Sequence, residues 1–236
     1  MSILQNVLRK FGLDVVLYRE WPVDVGPEDV ATLNLAQPFT LTSKERLVSA
    51  VHATHHISRH RIPGAVVECG VWRGGSMSAM ASTLRKLGDI RELYLYDTFT
   101  GMPEASEKDR AYNGYDGKEE LGKCFASLED VKNTMSLTGY PADHVHYVPG
   151  MVEDTIPGVA PSPIALLRLD TDFYESTKHE LKHLYPLVSP GGIVIIDDYG
   201  FWEGARQAVD EYFADSSVYL HRVDATGRVI VKPEVS

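Results

Sequence analysis

The chain has 236 residues and a formal net charge of −10, and 44% of its residues are hydrophobic. This composition is typical of a soluble globular protein, and the negative charge argues against nucleic acid as a partner, because phosphate binding needs a basic surface. No apolar run is as long as the about 18 residues that a membrane-spanning helix needs, and residues 1–11 lack the continuous apolar stretch of a signal peptide. We therefore expect a cytoplasmic protein with no membrane partner.

Residues 1–40 are predicted to be an extension of the main domain. Apolar residues at helical spacing, from Ile3 to Phe11, indicate a short amphipathic helix. Residues 20–40 hold three prolines and little periodicity, which predicts an arm on the surface. We expect this extension to contact an oligomer partner or to act as a lid.

The first helix of the main domain is predicted to begin at a capping box. Thr42-Ser-Lys-Glu45 has the hydroxyl and the carboxylate that satisfy free backbone amides at a helix start. The helix is expected to run to about His60.

Strands and helices then alternate along the rest of the chain. Strands are predicted at 65–69, 93–97, 145–148, 164–170 and 193–197, and helices at 76–86, 127–137, 175–187 and 203–213. Two final strands, 218–223 and 228–232, have so short a connection that they must be antiparallel. The pattern predicts one α/β domain over residues 41–236, with a doubly wound, mostly parallel sheet and a C-terminal hairpin.

One segment interrupts this alternation. Residues 98–119 are rich in glycine and charged residues and directly follow a predicted strand. Structureless segments of this length inside compact domains are usually functional or disordered. We interpret this one as a lid over the functional site.

Paired acids end two of the apolar strands. Asp170 and Asp172 follow one run, and Asp197 and Asp198 follow another. The carboxyl ends of parallel strands meet at the edge where open α/β sheets bind ligands. Carboxylates gathered there repel one another unless a cation lies among them, and oxygen ligands suit Mg²⁺, Mn²⁺ or Ca²⁺. The sequence therefore favours a metal site over helix capping alone.

A glycine-rich turn follows the first predicted strand. Residues 68–76 read ECGVWRGGS, which lacks the G-x-G-x-x-G spacing of dinucleotide-binding proteins. Glu68 before the turn suits a ligand with positive charge, and Asp97 at the next strand end is suited to a ribose diol. Together they indicate an adenosyl ligand such as S-adenosylmethionine.

Four motifs in order resemble the macrocin O-methyltransferase (TylF-type) family: ECGVWRGGS at 68–76, YDTFTGMP at 96–103, LDTDFYEST at 169–177 and GGIVIIDDY at 191–199. The resemblance covers about residues 38–213. It implies a class I methyltransferase fold with a Rossmann-like, seven-stranded sheet, a homodimer, and dependence on S-adenosylmethionine and Mg²⁺ (or Mn²⁺). It also implies methylation of a sugar hydroxyl on a small-molecule glycoside, such as a macrolide or aminocoumarin antibiotic.

The resemblance also implies roles for particular residues. Asp172 would be the general base, taking the proton of the acceptor hydroxyl. The implied metal ligands are Asp170, Asp197 and Asp198. The implied cofactor-binding residues are Thr40, Leu41, Glu68, Gly70, Val71, Trp72, Asp97, Thr98, Phe99, Ser127 and Asp154.

Three other functions remain open from the sequence. A catechol-type metal-dependent O-methyltransferase shares the acidic motifs but acts on a phenol. A nicotinamide-dependent oxidoreductase uses a similar sheet, although the missing dinucleotide motif and the carboxylate cluster argue against it. A non-catalytic ligand-binding module would not need the complete set of acids.

Overall fold

The computed structural model describes residues 21–112 and 124–234. Its centre is a seven-stranded sheet in the order β3-β2-β1-β4-β5-β7-β6. The strands are β1 (Ala65–Cys69), β2 (Leu93–Asp97), β3 (Val145–Pro149), β4 (Ile164–Leu169), β5 (Val188–Ile196), β6 (His221–Arg222) and β7 (Arg228–Val231). The pairs among β1 to β5 are parallel, whereas β7 runs antiparallel to both β5 and β6. The predicted α/β class, strand count and C-terminal hairpin are confirmed.

Seven α-helices accompany the sheet in the described ranges. They are α1 (Pro27–Ala36), α2 (Lys44–Arg59), α3 (Gly75–Leu87), α4 (Leu128–Ser136), α5 (Val152–Thr155), α6 (Tyr174–Leu184) and α7 (Glu203–Tyr212). None of the described helices is long and apolar enough to cross a membrane.

The central strands are buried on both faces because their residues are almost continuously apolar, as parallel strands require. On one face α2, α3 and α4 pack through a cluster that includes Ile57, Met80 and Val131. On the other face α5, α6 and α7 pack through a second cluster that includes Leu181 and Val209. Helices thus cover both sides of the sheet, as predicted.

The N-terminal extension differs from the predicted irregular arm. Residues 27–36 form α1, which begins with Pro27 in its first turn, where a proline costs no hydrogen bond. Leu33 and Ala36 of this helix are buried in a third apolar cluster with α2 and α3. The predicted helix near Ile3 to Phe11 lies outside the described residues.

The start of α2 is shifted by one residue from the prediction. Ser43, not Thr42, is the N-cap, and its side chain accepts a hydrogen bond from the backbone N–H of Arg46. Position N3 is therefore Arg46, so the predicted capping box with Glu45 is wrong. A capping box is present instead at the start of α4, where the side chains of Ser127 and Asp130 each accept a hydrogen bond from the other residue's backbone N–H.

The strand register brings the ends of the central strands together. Cys69 of β1 pairs with Leu169 of β4, and Leu169 pairs with Ile196 of β5. The next residues along each strand, among them Asp170 and Asp197, therefore leave the sheet side by side. This register produces the acidic edge that the sequence predicted.

Candidate active site

A cavity of about 320 Å³ opens at the carboxyl edge of the sheet. The residues lining it include Thr40, Leu41, Gly70, Val71, Trp72, Asp97, Thr98, Asp170, Asp172, Asp197 and Asp198. Eleven of the fifteen predicted site residues thus share one cavity, with Glu68 buried in β1 just before its glycine-rich turn. Phe99, Ser127 and Asp154 do not line it.

The glycine-rich turn is held against both neighbouring strands. Gly70 has a φ of +78°, and a Cβ on it would lie 2.0 Å from the carbonyl oxygen of Asp170. Only glycine fits this left-handed position and close approach. Asp97 fixes the other side of the turn, because its Oδ2 accepts hydrogen bonds from the N–H groups of Val71 (2.9 Å) and Trp72 (3.0 Å).

Two polar atoms beside the turn are buried without a hydrogen-bond partner in the described part of the chain. They are Oε2 of Glu68 and the indole Nε1 of Trp72. Burial raises the pKa of Glu68 to about 7, although the neighbouring Arg168 guanidinium opposes the shift. Buried polar atoms in folded proteins are nearly always paired, so these two are available to a bound ligand.

Arg168 connects Glu68, beside the glycine-rich turn, with the acidic side of the cavity. Its side chain is 3% exposed, and Nη1 lies 2.7 Å from Glu68 and 2.6 Å from Asp170. Nη2 lies 2.5 Å from Asp197. A single buried guanidinium thus pairs with three carboxylates. Sequence reasoning missed this residue, although one charged side chain inside the apolar run LLRL was a signal for it.

The structure divides the four predicted acids into two groups. Carboxylate oxygens of Asp170, Asp172 and Asp198 lie within 4.8 Å of one another. Asp197 is buried and pairs instead with Arg168 and Arg46, and the Thr42 hydroxyl donates to it at 3.3 Å.

Electrostatics in the group of three acids favour a cation. Desolvation, followed by the charge of Asp170, raises the pKa of Asp172 above its ordinary value. Desolvation and the charge of Asp172 raise the pKa of Asp198. Oδ2 of Asp198 is buried and has no hydrogen-bond partner among the residues described. Repulsion of this kind is relieved when a divalent cation lies among the carboxylates.

Asp172 occupies an unusual backbone conformation. Its φ is +69°, a left-handed value that non-glycine residues adopt at a cost of roughly 1–3 kcal/mol. The side chain interacts with the indole of Trp202, a hydrogen bond that lowers its pKa and opposes the effect of burial. Trp202 also lines the cavity, a position that the sequence did not reveal.

Comparison with known proteins identifies the family. Residues 27–231 match the family model of the macrocin O-methyltransferases (TylF). The chain is 34% identical over 233 residues to the 8-demethyl-8-(2,3-dimethoxy-alpha-L-rhamnosyl)-tetracenomycin-C 4'-O-methyltransferase of Streptomyces olivaceus, covering 93% of this chain and 89% of that enzyme. It is 33% identical over 219 residues to the demethyldecarbamoylnovobiocin O-methyltransferase of Streptomyces niveus, covering 89% and 76%.

The structure agrees with the sequence comparison. The fold matches that of the O-methyltransferase NovP with a TM-score of 0.74 and 32% sequence identity, over 83% of each chain. The glycine-rich turn, the acid that ends β2 and the acids that follow β4 and β5 all line one cavity in this fold. The chain therefore belongs to the macrocin O-methyltransferase family and is an S-adenosylmethionine-dependent O-methyltransferase.

Proposed function

We propose that this enzyme methylates a sugar hydroxyl of a glycosylated natural product in a reaction that requires Mg²⁺ or Mn²⁺. The observation that carries the proposal is the cluster of Asp170, Asp172 and Asp198 in the same cavity as the glycine-rich turn. The names of the relatives support the acceptor class, since the 34% identical enzyme acts on a rhamnosyl tetracenomycin.

The unpartnered atoms beside the glycine-rich turn fit the methionine part of S-adenosylmethionine. The Glu68 carboxyl suits an ammonium group, and Asp97, which accepts three backbone N–H groups, retains one free lone pair on Oδ1 for a ribose hydroxyl. We propose cofactor binding by Thr40, Leu41, Glu68, Gly70, Val71, Trp72, Asp97 and Thr98. Phe99, Ser127 and Asp154 remain predictions, because none of the three lines the cavity.

The acidic edge fits a hard divalent cation, since its donors are carboxylate oxygens and one of them is buried without a partner. A bound cation would supply positive charge that favours deprotonation of the acceptor hydroxyl. We propose Asp170, Asp197 and Asp198 as its ligands. Asp197 also pairs with Arg46 and Arg168, one on each carboxylate oxygen, so its participation requires that one of them release its oxygen.

We propose that Asp172 accepts the proton of the hydroxyl that becomes methylated. It lines the cavity together with the proposed ligands, and the indole of Trp202 interacts with its side chain. General-base removal of a proton contributes about 10²- to 10⁴-fold to a rate. The cavity walls would orient the two reactants, which is the other main source of acceleration in such a transfer.

The test compares turnover of wild type and Asp172→Asn with S-adenosylmethionine, Mg²⁺ and either a rhamnosyl aromatic polyketide or a catechol. We expect the glycoside to be methylated, EDTA to stop turnover, and Asp172→Asn to lower kcat about 10²- to 10⁴-fold. Binding of S-adenosylhomocysteine should be unchanged in the variant. Asp143→Asn, on an exposed turn, is the matched control and should behave as wild type.

A near-normal kcat in Asp172→Asn would reject the role of Asp172 as the general base. Methylation of the catechol but not of the glycoside would reject the proposal that the acceptor is a sugar hydroxyl. A homodimer in the cytoplasm remains part of the proposal, and sedimentation velocity measures the oligomeric state.

A further inference from the structure

Asp109 is a buried acid that the reaction as proposed does not use. It lies in the irregular segment after β2 yet is only 7% exposed. Its Oδ2 accepts hydrogen bonds from the backbone N–H (2.9 Å) and the hydroxyl (2.5 Å) of Ser106. Its Oδ1 accepts one from the backbone N–H of Tyr174, at 2.8 Å and 65 residues away. The Ser106 contacts are local, whereas the Tyr174 contact joins two distant parts of the chain.

Tyr174 is the first residue of α6, and this helix lacks a cap of its own. Phe173 is the N-cap residue and offers no side-chain hydrogen bond. The carboxylate of Asp109 therefore satisfies a free amide at the helix start and complements the helix dipole there. Asp172, the proposed base, stands two residues before this amide in its left-handed conformation. The surroundings must hold such a conformation, because it is unfavourable in isolation.

The same segment also contacts the other neighbour of the base. Ala111 forms an antiparallel bridge with Trp202, whose indole interacts with Asp172. On either side of this bridge, two backbone hydrogen bonds of 2.9 Å join Tyr112 to Phe201 and Glu203 to Arg110. Trp202 in turn packs edge-on against Phe173, with ring centroids 5.5 Å apart. Residues 106–112 thus hold the backbone after Asp172 and the indole beside it.

The start of α7 leaves room for the Asp109 carboxylate. A Cβ on Gly204 would lie 2.1 Å from Oδ1 of Asp109 and 3.1 Å from the backbone N of Tyr174. Any larger residue at this position would displace the carboxylate from the helix start. Gly204 therefore gives a second, independent way to disturb the contact.

We propose that Asp109 is a positioning residue that fixes Asp172 by fastening the segment after β2 to the first turn of α6. The proposal rests on the proposed function, in which Asp172 is the base. The segment after β2 would thus contribute to catalysis, because the contact of residues 106–112 with the first turn of α6 would keep the Asp172 carboxylate aligned for proton transfer. Small displacements of a reacting group cost large factors in rate, up to about 10²-fold for 1 Å.

The test measures kcat, both KM values and S-adenosylhomocysteine affinity for Asp109→Ala and Asp109→Asn. We expect Asp109→Ala to lower kcat about 10- to 100-fold and to leave cofactor affinity unchanged. Asp109→Asn should have a higher kcat than Asp109→Ala, because its amide oxygen still accepts from Tyr174, but a lower one than wild type, because its NH2 group cannot accept from the Ser106 N–H. Ser106→Ala is the local control, since it removes one bond to Asp109 and leaves the Tyr174 contact; it should keep wild-type kcat.

Asp29→Ala controls for loss of a buried acid elsewhere. Asp29 is 5% exposed, and both its oxygens lie 3.0 Å from His55. This variant should melt earlier than wild type and keep its kcat. A purely structural role of Asp109 predicts the same behaviour for Asp109→Ala, and that outcome would overturn the proposal.

Gly204→Ala supplies a second route if Asp109→Ala does not fold. It should lower kcat, and the double variant Asp109→Ala/Gly204→Ala should be no slower than Asp109→Ala, because both changes break one contact. Full additivity of the two effects would overturn the proposal. If Asp172→Asn is inactive and Asp109→Ala has a normal kcat, only the positioning role of Asp109 is rejected. If Asp172→Asn is active, the role of Asp172 as the base is rejected, and the positioning role of Asp109 is rejected with it.

Discussion

Replacement of Arg168 by methionine should destabilise the protein more than replacement of any exposed arginine. Arg168 is 3% exposed and is the shared partner of Glu68, Asp170 and Asp197 at 2.5–2.7 Å. Removing one member of a buried charge network leaves its partners uncompensated, which costs about 3–5 kcal/mol. A domain of this size loses about 2–4 °C of Tm per kcal/mol, so Arg168→Met should melt about 6–20 °C below wild type.

The assay is thermal unfolding at pH 7 without added ligand, followed by circular dichroism. Arg222→Met is the control, because Arg222 lies exposed on the edge strand β6 and its loss should cost less than about 0.5 kcal/mol. The double variant Glu68→Gln/Arg168→Met should recover part of the loss, since it also removes one of the stranded carboxylates. An Arg168→Met Tm within about 2 °C of wild type would refute the view that this guanidinium holds the acidic edge together.

Two further predictions concern the metal and the glycine-rich turn. Mg²⁺ at 100 times its Kd should stabilise wild type by about 2.7 kcal/mol. Asp198→Ala should abolish this stabilisation by Mg²⁺ and Asp197→Ala should reduce it less, while S-adenosylhomocysteine should still stabilise both variants. Equal stabilisation by Mg²⁺ in all three proteins would contradict the metal site. Gly70→Ala should lose S-adenosylhomocysteine binding in calorimetry because its Cβ meets Asp170, whereas Gly88→Ala, also left-handed but with open space around it, should lose only about 1–2 kcal/mol of stability.

The acidic edge was predictable because it depends on local sequence and one general rule. Apolar runs that end in acids mark buried strands, and the ends of parallel strands meet at one edge. The pairing of Asp197 with Arg46 was not predictable, because the two residues are 151 positions apart and meet only through the packing of α2 on the sheet. The same contacts explain why the predicted N-cap at Thr42 is wrong. The Thr42 hydroxyl donates to Asp197, and Ser43 is the N-cap of α2 instead.

Helix α1 was missed for a different physical reason. Its buried face contains Asp29 and Thr32 beside Leu33 and Ala36, so the sequence shows no continuous apolar stripe. Its stability comes from packing on α2 and α3, a tertiary effect that periodicity does not report. The contact between Asp109 and the start of α6 was not predictable either, because the backbone N–H of Tyr174 that it accepts from is 65 residues away.

The position of β7 has a consequence for how the enzyme is made on the ribosome. β5 carries Asp197 and Asp198 beyond its end, and its outer neighbour is β7, which follows it along the chain only after α7 and β6. Until residues 228–231 emerge, β5 is an unpaired edge, and such edges are prone to pairing with other chains. The nascent chain therefore passes through a stage in which the strand that leads to the acids is an unpaired edge that is prone to aggregation.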